Sequence, residues 1–213
     1  MSFRFIDLFC GMGGFRIAFE KQGGNCVFSS DIDKYAQDTY NLNFGEIPSG
    51  DITKIDAKDI PDHDILCAGF PCQPFSLAGR RLGFEDTRGT LFFDVARILK
   101  EKQPKAFILE NVRGLANHDN GNTLKVILKT LDEIGYSYKY AILNAKDYNV
   151  PQNRERWYCI GVRKNSGIDI EKFSFPKKEP LTNTLKNIIQ LDLPNASDYV
   201  VSNRCRENIE YHV

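Results

Sequence analysis

The stretch Gly69-Phe70-Pro71-Cys72-Gln73-Pro74-Phe75-Ser76 sets a cysteine between two prolines. The proline rings fix φ on either side and hold the thiol rigidly. Cys10, Cys26, Cys67 and Cys159 instead lie among strand-forming residues and read as small buried hydrophobes. Neither His63 nor His118 carries a sequence cue that pairs it with Cys72, so a papain-like dyad is poorly supported. A nucleophilic Cys72 would be activated by electropositive surroundings or by its substrate. Glu110 follows the apolar run Ala106-Phe107-Ile108-Leu109. It reads either as an anchor for a helix or loop, or as an acid whose pKa rises on partial burial. In Gln152-Asn153-Arg154-Glu155-Arg156 the two arginines fall on one face of an extended segment. They suit a carboxylate, the polar edge of a base, or a solvated charge cluster.

A second set suits a nucleoside ligand. Phe9-Cys10-Gly11-Met12-Gly13-Gly14 is a tight turn that lets backbone approach a ligand closely, without the GxGxxG pyrophosphate pattern. Asp31, about twenty residues on, suits the two hydroxyls of a ribose, or caps a helix. Asp51, after Gly50, suits an adenine amino group or caps the next segment. Turn and acids without a pyrophosphate fingerprint favour S-adenosylmethionine over NAD.

These residues need elements to hold them. Strands are expected at Phe3–Phe9, Asn25–Ser29, a short run ending near Asp51, Asp64–Gly69, Lys105–Glu110, Ser137–Leu143 and Arg156–Val162. Helices are expected at Phe15–Gln22, Lys34–Leu42, Thr90–Gln103 and Thr123–Ile134. The alternation predicts an α/β doubly wound, mostly parallel sheet. In such sheets ligands bind beyond the carboxyl ends of the strands. Gly11/Gly13, Asp31, Asp51, Pro71-Cys72 and Glu110 all fall at such ends. Beyond Arg163 the pattern weakens to a polar tail with a short helix expected at Thr184–Ile189 and a strand at Tyr199–Ser202.

Composition excludes other classes. Of 213 residues, 42% are hydrophobic and 26% charged, which rules out wholesale disorder. Lys+Arg and Asp+Glu are both 28, so a generic polycation is excluded, although local basic patches are not. The first hundred residues carry 11 basic and 14 acidic groups, so the basic excess lies in the part that holds Arg154 and Arg156. No metal-like cysteine or histidine spacing is present. No apolar run reaches a membrane span. Six cysteines without a secretion-type N-terminus are expected in a reducing cytoplasm.

Six ordered motifs carry a resemblance. They are Asp7-Leu8-Phe9-Cys10-Gly11-Met12-Gly13-Gly14, Asp31-Ile32-Asp33, Gly50-Asp51-Ile52, Gly69 to Ser76, Glu110-Asn111-Val112 and Gln152 to Arg156. Over about residues 1–165 the chain resembles the catalytic part of DNA cytosine-5 methyltransferases. It is most similar to the small bacterial type II modification enzymes of the kind that recognises GCGC. The resemblance implies the class I S-adenosylmethionine-dependent methyltransferase sheet, with an antiparallel last strand. It implies Cys72 as nucleophile, Glu110, Arg154 and Arg156 around a flipped-out cytosine, and Phe9, Gly11, Gly13, Asp31, Ile32, Asp51, Ile52 and Pro71 around the cofactor. The family often has an aromatic residue where Ile32 stands, which weakens the adenine contact here. Phe75–Gly89 would be a lid over double-stranded DNA, with Gln73, Arg80, Arg81 and Arg88 as DNA contacts.

The resemblance also implies two units: residues 1–165, catalytic and cofactor-binding, and residues 166–213, the start of an incomplete target-recognition domain. The family's full recognition domain and C-terminal motifs are not expected in the stretch after Arg163, and three explanations are open: a truncated chain, half of a split enzyme completed by a second polypeptide, or a cofactor-binding module inactive by itself. An RNA-directed relative is a further reading. By itself the chain is expected to bind DNA weakly and to methylate poorly or not at all.

Overall fold

The computed structural model describes residues 2–71, 91–184 and 187. Cys72, Gln73, Arg80, Arg81, Arg88 and the expected 75–89 lid lie outside the described residues. So do the 199–202 strand and most of the 184–189 helix.

The first strand, β1 (Phe3–Leu8), buries Phe5, Ile6, Asp7 and Leu8 completely. Consecutive buried residues mark a strand covered on both faces, as parallel central strands are. It leads into α1 (Gly14–Glu20), β2 (Gly24–Ser30) and α2 (Lys34–Phe44). The Asp33 side chain caps α2 by accepting from Ala36 N, and Gly45 ends it at φ +71°. There follow β3 (Ile65–Ala68), α3 (Leu91–Lys102), β4 (Ala106–Val112), α4 (Asn122–Glu133), β5 (Tyr136–Asn144) and β6 (Glu155–Arg163). Helix α3 buries Phe92, Val95, Ala96, Ile98 and Leu99, and α4 buries Leu124, Ile127 and Leu131, the spacing of one helical face.

The strands form one six-stranded sheet in the order β2-β1-β3-β4-β6-β5. The pairs β1/β2, β1/β3 and β3/β4 are parallel; β6 is antiparallel to both its neighbours. This is the expected α/β sheet with an antiparallel last strand. One expected strand is absent. The run ending near Asp51 reduces to a single bridge, Ser30 to Ser49. Pro48 has no N–H for a ladder, and Asp51 turns its side chain to cap the short 3-10 turn Ile52–Lys54.

The core shows how tightly β4 meets β6. Phe107 sits opposite Gly161 in the register and is 1% exposed, with its ring 5.2 Å from that of Tyr136. A Cβ on Gly161 would stand 2.1 Å from the Phe107 ring. Gly161→Ala is therefore expected to cost about 1–3 kcal/mol or more by overpacking. Urea unfolding checks this, and an unchanged midpoint would contradict it.

After β6 the tail makes a short 3-10 turn, Ile170–Lys172. Lys139 Nζ on β5 donates to the carbonyls of Glu171 and Phe173 and fixes this turn to the sheet edge. Among the described residues no helix is long and apolar enough to cross a membrane. None of them forms a group of three or more His, Cys, Asp or Glu able to hold a metal.

Candidate active site

The register aligns the strand ends. Leu8 pairs with Ser30 and with Ala68, and Ala68 pairs with Leu109. The next residues, Phe9, Asp31 and Gly69, therefore leave the sheet along one edge, whereas Glu110 stays in β4 opposite Tyr158, two residues before the strand ends at Val112 and not at the strand end expected from the sequence. Val112 pairs with Arg156, so the start of antiparallel β6 reaches the same edge. A Cβ built on Gly69 would lie 3.4 Å from Glu110 Oε2, 3.9 Å from Phe15 Cε2 and 4.0 Å from the Phe9 carbonyl oxygen. The glycine turn, the end of β3 and Glu110 thus meet around one residue that has no side chain.

The turn after β1 is left-handed at Phe9 (φ 56°), Gly11 (φ 53°) and Gly13 (φ 90°). A phenylalanine in that region costs about 1–2 kcal/mol, so its neighbours must hold it there. Cys10 N donates to Ser30 O, and Gly11 N donates to Asp31 Oδ2 at 2.8 Å. Gly13 could carry no side chain, because a Cβ would stand 2.2 Å from the Phe44 ring. Buried Arg16 fastens α1 to α2 by donating to Tyr40 Oη at 3.2 Å, with its guanidinium 4.5 Å from the Phe44 ring centroid, and it pairs with Glu46 just past α2 at 2.7 Å.

Asp31 also accepts from Asp33 N through Oδ1, at 2.9 Å. Two backbone donors orient the carboxylate, and each oxygen keeps a lone pair for another hydroxyl. Ile32 beside it is 72% exposed. Asp51 accepts from Thr53 N and Oγ1 and faces Lys54, and these groups, the Thr53 hydroxyl first, lower its pKa. It serves as a cap, one of the two roles its sequence setting allowed. The Ile52 side chain packs into the core at 3% exposure. Pro71 is exposed.

On the other side of the edge, Arg156 Nε lies 2.9 Å from Glu110 Oε1, with both side chains mostly covered. Burial raises the Glu110 pKa, while Arg156 and Arg154 oppose the shift. Glu155 pairs with Arg113, which leaves Arg156 to Glu110. Arg154 is exposed, and its backbone N–H donates to Asn144 Oδ1 at 3.1 Å. The pair can hold a proton-bearing acid beside a cation, an arrangement fit to bind a polar ring edge.

Some of the residues that build the edge stand in or beside the quoted motifs with no role of their own. Asn111 is buried; its Nδ2 donates to Phe70 O at 2.8 Å, which anchors the chain just before Pro71. Asn144 Nδ2 donates to Asn153 Oδ1 at 2.8 Å and so closes the β5–β6 loop around Arg154. Asp7 is fully buried, with no hydrogen-bond partner of good geometry for either oxygen among the described residues. Burial lifts its pKa well above 3.8, against the pull of the Arg16 backbone N–H and guanidinium.

Asp7 should make stability pH-dependent. With a folded pKa above the unfolded one, its neutral form stabilises fully below the unfolded pKa, and this contribution is lost as pH rises through the folded pKa. Asp7→Asn removes the dependence. Its stability relative to the parent should climb by about 1.4 kcal/mol per pH unit above the unfolded pKa, then level off. Urea midpoints across a pH series measure the gap, and a constant gap would count against a buried neutral Asp7.

The sequence model described as C-5 cytosine-specific DNA methylase matches residues 3–213. The chain belongs to that family. Among curated relatives, the type II methyltransferase M.HhaI of Haemophilus parahaemolyticus is 56% identical over 189 residues. That alignment covers 89% of this chain and 57% of the relative. The type II methyltransferase M.HpaII of Haemophilus parainfluenzae is 60% identical over 184 residues, 84% of this chain and 50% of that one. The chain thus spans about half the length of these relatives. A crystal structure of the S. pombe Dnmt2 methyltransferase shares the fold with a TM-score of 0.73 at 22% identity, covering 99% of this chain and 66% of that one.

Proposed function

We propose that this DNA methylase chain is the catalytic part of a DNA cytosine-5 methyltransferase that uses S-adenosylmethionine, as in a restriction-modification system. The observation that carries the reading is the Glu110–Arg156 pair at 2.9 Å on the edge where the glycine turn and Asp31 also emerge. Residues 1–165 form the catalytic unit, and residues 166–213 open a target-recognition domain. Double-stranded DNA is the substrate, and a second polypeptide is one source of further recognition elements. A chain that acts on DNA, with its described cysteines all free, fits a reducing cytoplasm.

The cofactor fits the residues present. Asp31, oriented by Gly11 N and Asp33 N, would accept the ribose hydroxyls. Phe9 and exposed Ile32 would flank the adenine, with Gly11, Gly13, Asp51, Ile52 and Pro71 completing the site. When bound, S-adenosylmethionine supplies the methyl group that C5 of the cytosine takes.

The target base must leave the duplex, because C5 and C6 are out of reach inside the stack. Cys72 Sγ would bond to C6 and push an electron pair of the C5–C6 double bond towards C5. Glu110, holding a proton, would donate to N3 and accept from the exocyclic amino group, stabilising the charge that builds on the ring. Arg156 would donate to O2, with Arg154 beside it. After C5 is methylated, loss of its proton returns the electron pair to the ring and expels the Cys72 thiolate. Gln73, Arg80, Arg81 and Arg88 would contact DNA.

Two measurements test this. Calorimetry with S-adenosylmethionine should show one site. Nucleoside analysis of DNA incubated with labelled cofactor and excess protein should place the label in 5-methyldeoxycytidine. Label on an exocyclic nitrogen would overturn the reading.

A further inference from the structure

The loop between β5 and β6 presents Arg154, and the polar tail beyond β6 returns to that same loop. Asn149 stands at the junction in a left-handed conformation, φ 61°. Its Oδ1 accepts from Thr182 N at 2.8 Å, Thr182 Oγ1 at 3.0 Å and Asn183 N at 2.9 Å. Asn183 Nδ2 donates back to the Asn149 carbonyl at 3.1 Å. Alongside, Lys178 Nζ meets Asp147 Oδ2 at 2.7 Å, and Glu179 N donates to Asp147 O at 2.8 Å. A nine-residue strap, residues 176–184, is therefore stitched to a loop some thirty residues earlier in the chain.

The contacts run on from Asn149 to Arg154. Val150 N donates to Ala145 O at 3.3 Å, and Ala145 N donates to Arg154 O at 3.1 Å. Arg154 N returns a bond to Asn144 Oδ1 at 3.1 Å. This is an unbroken hydrogen-bonded path from the strap to the backbone of the arginine, with no flexible side chain between Val150 and Arg154. All nine strap residues are exposed, so one acceptor serving three donors has a large share of the strap's attachment.

We propose that Asn149 is a positioning residue: it fastens the 176–184 strap to the loop that presents Arg154, so that displacement of the strap reaches Arg154. The proposal rests on the reading of Arg154 as a residue of the cytosine pocket. It adds that the pocket is set in part by chain that follows the catalytic sheet. A partner or DNA segment that pulls on the strap would then change how Arg154 meets the base.

Amide hydrogen exchange of the full 213-residue chain tests this without methyl transfer, so an inactive protein does not confuse the result. Asn149→Gly keeps the left-handed backbone and removes the acceptor. Asn149→Asp keeps an acceptor oxygen in place. In Asn149→Gly the amides of Thr182, Asn183 and Arg154 should all exchange about tenfold faster or more. Asn149→Asp should match the parent, and core amides of β4 should be unchanged in both. If Asn149→Gly does not fold, Thr182→Pro removes a donor from the strap side and should give the same pattern at Asn183 and Arg154. Faster exchange in the strap with an unchanged Arg154 amide would overturn the proposal. So would an Asn149→Asp variant that behaves like Asn149→Gly.

Discussion

Replacing Cys72 with serine is expected to abolish methyl transfer, even with protein in excess over DNA, with S-adenosylmethionine binding nearly unchanged. A serine hydroxyl is of similar size but is protonated at any working pH, and it is far less nucleophilic than a thiolate. The expected loss is specific to Cys72. Cys10 and Cys159 are buried, which pushes both thiols far above their ordinary range, and Cys67 is likewise raised by burial. All three are buried, out of reach of a base. The chain just before Cys72 is firmly anchored: Phe70 is 3% exposed and its carbonyl accepts from buried Asn111. Radiolabelled methyl transfer measures the effect, and calorimetry confirms that the cofactor still binds. Transfer at the parental rate would remove Cys72 as the nucleophile.

Replacing Glu110 with glutamine should lower transfer by about a hundredfold to ten-thousandfold. The amide can still donate to N3 and accept from the exocyclic amino group, so base binding should suffer less than rate. It cannot give up a proton to the ring as negative charge develops. The pKa shift sharpens the expectation. Burial raises the Glu110 pKa, so the protonated form persists above the usual carboxylate range, and the parental rate should fall as pH rises through that raised value. Arg156 and Arg154 hold the shift back. The glutamine variant should lose this limb of the pH profile. A variant with near-parental rate and the same pH profile would show that Glu110 only anchors the loop.

Most of the sheet was legible because its signals are local. Ile65-Leu66-Cys67-Ala68 and Ala106-Phe107-Ile108-Leu109 are apolar runs that end at a glycine or a carboxylate, and both became parallel strands at the expected places. The strand-end rule placed Gly11 and Asp31 correctly, whereas Glu110 lies two residues inside β4, because pairing with β6 carries that strand on to Val112. The short strand before Asp51 failed because Pro48 lacks the N–H that a ladder needs. Asn111, Asn144 and Asn149 gave no signal, since what they do depends on partners elsewhere in the chain: Asn111 meets Phe70, 41 residues away, and Asn149 meets Thr182, 33 residues away. An asparagine in a loop carries no pattern that names such a partner. Asp7 was visible as part of a motif, but its burial with no hydrogen-bond partner of good geometry among the described residues depends on β2, β3 and α1 closing around it.

The central claim is a covalent bond between Cys72 and a flipped cytosine. A cytosine with fluorine at C5 tests it most directly, because fluorine cannot leave as a cation and the adduct cannot eliminate. DNA with that base, S-adenosylmethionine and excess protein should give a complex that survives denaturation. Peptide mapping should place the modified base on Cys72, and Cys72→Ser should form none. An adduct on another residue would contradict the account. So would no adduct at all from protein that calorimetry shows to bind both the DNA and the cofactor.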